Sequence, residues 1–82
     1  MADKRLMFEG TDLQAWPGND ITSSQRATLA AKLAEWPGCS ARVWQRTHKG
    51  WLVVEIDIGN NEQFKFRIDH RAQVSKTRIE RI

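Results

Sequence analysis

Tyrosine is absent, proline occurs twice, cysteine once, and no apolar run exceeds four residues. With Cys39 alone there is neither an intramolecular disulfide nor a cysteine-based zinc cluster, so packing must hold the fold. A helix crossing a bilayer takes about 20 predominantly apolar residues, which excludes a membrane-spanning helix here. The Met1-Ala2-Asp3-Lys4-Arg5 start is followed by no apolar signal region, and the expectation is a cytoplasmic protein with no membrane partner. Gly-x-Gly-x-x-Gly, Walker, His-Glu-x-x-His and EF-hand patterns are also missing, so neither a small-molecule cofactor nor a dedicated metal site is expected.

What remains is a chain of 82 residues, 40% hydrophobic and 28% charged, which fits one compact domain over residues 1–82. A domain of this size buries only about 60–65% of the surface its unfolded chain exposes, so large side chains must compensate. Trp16, Trp36, Trp44, Trp51, Phe8, Phe64 and Phe66 are the supply, each able to bury roughly 150–250 Å².

Lys4 to Glu9 reads as a short edge strand. Thr11-Asp12-Leu13-Gln14 and Thr22-Ser23-Ser24-Gln25 both fit the capping box that opens a helix. Each leads to Leu-x-x-Trp-Pro-Gly, Leu13 to Gly18 and Leu33 to Gly38, where proline disfavours helix at the tryptophan and glycine supplies a left-handed end. The first unit has room for barely one turn. Ser23 to Glu35 is a helix with Leu29, Leu33 and Trp36 on one stripe. From Ala41 the period changes to two: Leu52, Val54, Ile56 and Ile58 form one half-buried strand, Phe64, Phe66 and Ile68 another. A three-residue loop, Gly59-Asn60-Asn61, with Asn61 left-handed, sets Ile56 opposite Phe64 and Val54 opposite Phe66. Arg42 to His48 pairs back through Lys49-Gly50, with Val43 on the same face as Val54.

The expected fold is α+β: one main helix on a three- to four-stranded antiparallel sheet, in the order β-α-β-β-β. The expected core is Leu29, Leu33, Trp36, Val43, Leu52, Val54, Ile56, Phe64, Phe66 and Ile68. Val74, Ile79 and Ile82 spread over ~140° as a helix and do not share a face as a strand, which leaves residues 71–82 without an assignment.

The sheet face away from the helix then carries Arg42, Trp44, Arg46, Trp51, Val53, Glu55, Asp57, Lys65 and Arg67. Glu55 opposite Lys65 is a cross-strand pair worth about 0.2–1 kcal/mol, but two tryptophans and a valine on a solvated face require a cover. The N-terminal segment or the tail, a second copy of the chain, or another macromolecule can supply it. Charge sharpens the choice: residues 1–40 carry net −1 and residues 41–82 net +4. Cations interleaved with rings suit nucleic acid, because cations neutralise phosphates and rings stack on unpaired bases. The leading expectation is a non-enzymatic binding module that contacts nucleic acid through Arg42, Trp44, Arg46, Trp51, Lys65, Arg67, Arg71, Lys76 and Arg78. A protein-binding inhibitor or adaptor of the kind used by phages and mobile elements is the alternative for the same face. A homodimer is expected as well, because so short a chain cannot cover both faces of a sheet and leaves a short edge strand unprotected.

The order of helix, three-stranded meander and basic segment resembles the layout of double-stranded-RNA-binding domains and of HicA-type toxin RNases. Their Gly-x-Gly-x-Ser-Lys-Lys and Gly-Ser-His elements are absent here, although Ser75-Lys76 lies in the basic tail. That layout implies a further alternative, a metal-independent RNase drawing on His48, Lys49, Arg46 and His70.

Overall fold

The structure is a computed structural model that describes residues 3–18 and 20–82. Strand β1 (Lys4–Gly10) is followed by a 3-10 turn (Leu13–Ala15) and helix α1 (Ser23–Leu33). Strands β2 (Ala41–Arg46), β3 (Leu52–Gly59), β4 (Glu62–Ile68) and β5 (Val74–Arg81) complete the chain. The fold is α+β, with one antiparallel sheet in the order β1-β2-β3-β4-β5. Among the described residues it has five strands rather than three to four, and the segment left unassigned is the fifth.

The reason for that difference is a bulge. Val74 pairs with Ile68 and Ile79 with Phe64, so both stand on the core side of β4 although five residues separate them. Strict alternation would put them on opposite faces. The register shifts opposite Lys65 and Arg67, and Lys76 adopts a left-handed φ of 57°. One extra residue resets the parity of the strand. The same device operates in β1, where a shift between Leu6 and Phe8 turns Phe8 inward opposite Val43 and leaves Leu6 outward opposite Trp44.

The central register agrees with the sequence. Ile56 pairs with Phe64, Val54 with Phe66, Glu55 with Lys65 and Val43 with Val54. The connection is two residues, Asn60 and Asn61, rather than three, because Gly59 pairs with Glu62 after a register shift beyond Asp57. Gly59, Asn60 and Asn61 all take positive φ, a region that asparagine and glycine tolerate best. Helix α1 opens on the expected box: Thr22 Oγ1 accepts from the Gln25 N–H at 3.0 Å and Gln25 Oε1 accepts from the Thr22 N–H at 3.1 Å. It ends at Leu33 rather than Glu35, so Trp36 lies beyond it, half-buried against Phe64 at 5.7 Å between ring centroids. The box expected at Thr11 does not form. Asp12 caps the 3-10 turn instead, its Oδ1 accepting from the Gln14 N–H at 3.0 Å, because the carboxylate lies one residue nearer the turn.

Leu29, Val43, Leu52, Val54, Ile56, Phe66 and Ile68 are essentially inaccessible, while Leu33, Trp36 and Phe64 are only partly buried beside them. Phe8, Leu13, Trp16 and Ala41 extend the core beyond the sequence reading. Trp16 stacks on Phe8 at 5.9 Å and carries Arg26 5.3 Å from its ring centroid. Arg26 also donates to the carbonyls of Leu13 and Trp16. The segment after β1 is thereby fastened to the helix.

One buried polar side chain joins the layers. Gln25 is 2% exposed, and its Nε2 donates to the carbonyls of Gly50 at 3.1 Å and Asp69 at 3.0 Å. The helix start is thus bonded to the β2–β3 and β4–β5 turns together. Gln25→Ala strands two carbonyls and half of the capping box, and chemical denaturation is expected to show a loss of roughly 2–4 kcal/mol. Gln25→Glu is expected to cost more at neutral pH, since it aims a carboxylate at two carbonyl oxygens; a loss below about 1 kcal/mol in both would refute this role. Phe66→Ala is expected to cost about 3–5 kcal/mol by the same measurement.

Candidate nucleic-acid interface

Alternation sends Arg42, Trp44 and Arg46 of β2, Val53, Glu55 and Asp57 of β3, and Lys65 and Arg67 of β4 to the face opposite the helix. The edge strands add to it. Lys4 stands opposite Arg46 and Arg78 opposite Lys65. A groove of about 230 Å³ runs over this face, lined by Lys4, Arg46, Lys65, Arg67, Lys76 and Arg78 against the carboxylates of Asp3 and Glu55, with Val53 also in its lining. Five flat strands would set β1 and β5 roughly 19 Å apart, a span that the long side chains of Lys4, Lys76 and Arg78 shorten from both edges.

The cations are held in different ways. Arg46 Nη2 lies 2.6 Å from Asp3 Oδ2. Lys65 Nζ sits between Glu55 at 3.7 Å and Glu80 at 3.3 Å, and Arg78 Nε bonds Glu80 at 2.7 Å. Lys4 Nζ rests 5.0 Å from the Trp44 ring centroid. Trp51 is flanked by Lys49 at 4.9 Å and Arg67 at 5.6 Å. Lys76 makes no side-chain ion pair or hydrogen bond among the described residues. Its left-handed backbone is the bulge of β5, and a bulge re-aims the side chain it carries.

Of the residues expected at the interface, Arg46, Lys65, Arg67, Lys76 and Arg78 are brought together in the groove. Trp44 and Trp51 lie half-buried on the same face beneath cations rather than bare. Arg42 is directed elsewhere: its Nε bonds Glu9 at 2.8 Å, which holds the guanidinium above its ordinary pKa, and it lines a separate cavity with Ser40, Asp57 and Ile82. Arg71 sits on the β4–β5 turn, its N–H donating to Asp69 Oδ1 at 2.9 Å, and does not line the groove. Asp3 and Lys4 were missed, and Lys49, expected only in the RNase alternative, stands over Trp51. The alternation of Lys4, Leu6 and Phe8 carried the signal for Lys4, but only pairing of β1 onto β2 discloses which face it joins.

His48 and His70 are exposed on the β2–β3 and β4–β5 turns, Cys39 is half-buried, and none of the three lines the groove. Among the described residues no three His, Cys, Asp or Glu side chains converge to hold a metal ion, and no helix is long and apolar enough to cross a membrane. No protein-family model, curated protein or solved structure matches the chain.

Hydrogen bonds from Arg78 and Lys65 hold the Glu80 carboxyl below the ordinary glutamate range. A carboxyl whose pKa falls on folding favours the folded state above its unfolded pKa, and that contribution disappears as pH drops through the lowered value. Arg78→Ala is expected to bring the Glu80 pKa up towards its ordinary value, read by NMR titration of the side-chain carboxyl carbon. An unchanged titration would show that Arg78 is not the cause.

Proposed function

We propose that the protein is a non-enzymatic binding module whose groove holds the phosphate backbone of a nucleic acid. The observation that carries this reading is six cations against two carboxylates in one groove fed by all five strands. Phosphates attract such a surface and release counterions on binding. The rings enter differently from the expectation of base stacking. Trp44 and Trp51 serve as platforms on which Lys4, Lys49 and Arg67 rest, since a cation over an indole face is attracted by the ring quadrupole. Recognition through such cations favours backbone over base sequence.

A second reading rests on a separate observation. Leu6, 43% exposed, stands opposite Trp44 beside the groove, and an apolar pair next to a basic groove also suits an acidic protein partner. A Leu6→Ser variant that loses partner binding while retaining oligonucleotide binding would favour it.

Fluorescence anisotropy with short single- and double-stranded oligonucleotides separates the readings. Among the described residues Lys4, Arg67 and Lys76 are the groove cations without a carboxylate partner, so about three displaced counterions are expected, a slope of log affinity against log salt near −2 to −3. Lys76→Ala is expected to weaken binding similarly for all sequences and to lower that slope by about one. Absence of oligonucleotide binding at 50 mM salt would overturn the proposal.

A further inference from the structure

We infer that β5 is a dimerisation edge, which pairs antiparallel with β5 of a second copy about a two-fold axis at Ile79. The inference is independent of the nucleic-acid reading. Among the described residues β5 is bonded to β4 alone, so its other side presents unpaired backbone groups. Such an edge is a template for another strand. Three large hydrophobic residues are conspicuously exposed among the described residues: Leu6, Ile79 at 57% and Ile82 at 71%. Two of them lie on or directly after β5.

Charge complementarity identifies the occupant as a second copy. Antiparallel self-pairing centred on Ile79 sets Ile79 against its own mate, Arg78 against Glu80 of the second copy, and Glu80 against Arg78 of the second copy. Two opposite-charge pairs then arise by symmetry on the groove side. On the other side Arg81 stands beside Glu62 of its own β4 and meets only a threonine, Thr77, across the axis. The regular stretch from Arg78 to Arg81 lies beyond the bulge at Lys76, whereas β1, the other edge, is interrupted midway by its register shift at Leu6 and Phe8. The resulting ten-stranded sheet would carry both grooves on one face, with the β5 walls adjoining.

Sedimentation velocity on the whole chain tests this, with circular dichroism to confirm that each variant folds. The wild type is expected to be dimeric at high micromolar concentration. Arg78→Glu and Glu80→Arg each replace attraction by like-charge contacts and are expected to weaken self-association roughly tenfold or more. Mixed with one another, the two variants regain opposite charges at both positions and are expected to form a heterodimer that neither forms alone. That rescue is intermolecular, so altered ion pairing within one chain cannot imitate it. A wild type that stays monomeric, single variants that dimerise unchanged, or a mixture that remains monomeric would each overturn the assignment.

Discussion

The carboxamide of Gln25 connects the two halves of this molecule. Its Oε1 completes the helix cap at Thr22, and its Nε2 joins the carbonyls of Gly50 and Asp69, which belong to turns that are nineteen residues apart in sequence. A buried amide with both donors and its oxygen hydrogen-bonded is directional where apolar packing is not, and it penalises any arrangement that separates its partners. The β2–β3 turn delivers Trp51, and the β4–β5 turn, with Asp69 Oδ1 accepting from the N–H groups of Arg71 and Gln73, launches β5. The basic face is therefore positioned by a hydrogen-bonded node tied to the helix on the other side of the sheet.

The sheet has two dissimilar faces because its central strands alternate without interruption from Leu52 to Asp57, whereas its edge strands are interrupted midway. Leu52, Val54 and Ile56 are fully buried while Val53 and Glu55 stay partly open. At the edges one residue is inserted on each side, which lets β1 and β5 bury Phe8 and partly bury Val74 while still presenting Lys4, Lys76 and Arg78 to the groove. Bulges increase local twist and bend a strand, consistent with a groove lined from both edges. The left-handed Lys76 is an uncommon conformation for a residue with a Cβ, and it falls where a groove-lining cation is needed.

Ion pairing and ring contact divide the cations of this face. Arg46, Lys65 and Arg78 have carboxylate partners, and Glu80 bridges two of them. Exposed pairs contribute little stability, commonly below about 1 kcal/mol, so their main effect is to order long side chains. Lys4 and Arg67 are ordered without neutralisation, because an indole ring positions a cation and leaves its charge intact. A face that combines preset side chains with unneutralised charge is suited to an anionic partner at a small entropic cost.

Local pattern was sufficient for the helix cap at Thr22, the β3–β4 hairpin with its register, and the outward direction of Arg46, Lys65 and Arg67. Each depends on residues close in sequence, where periods of 3.6 and 2 and a short loop fix geometry directly. The fate of Val74, Ile79, Leu6 and Lys4 did not follow from pattern, because an inserted residue reverses the parity of everything beyond it and only the partner strand selects where it goes. Trp16 entered the core through contacts with Phe8 and Arg26, and Arg42 bonds Glu9 on the same face instead of lining the groove, in each case through contacts between separate elements. The amino-acid sequence by itself determined which residues could line a basic face. Tertiary structure decided which of them share one groove, since the pairing of β1 and β5 onto the meander is a property of the assembled strands.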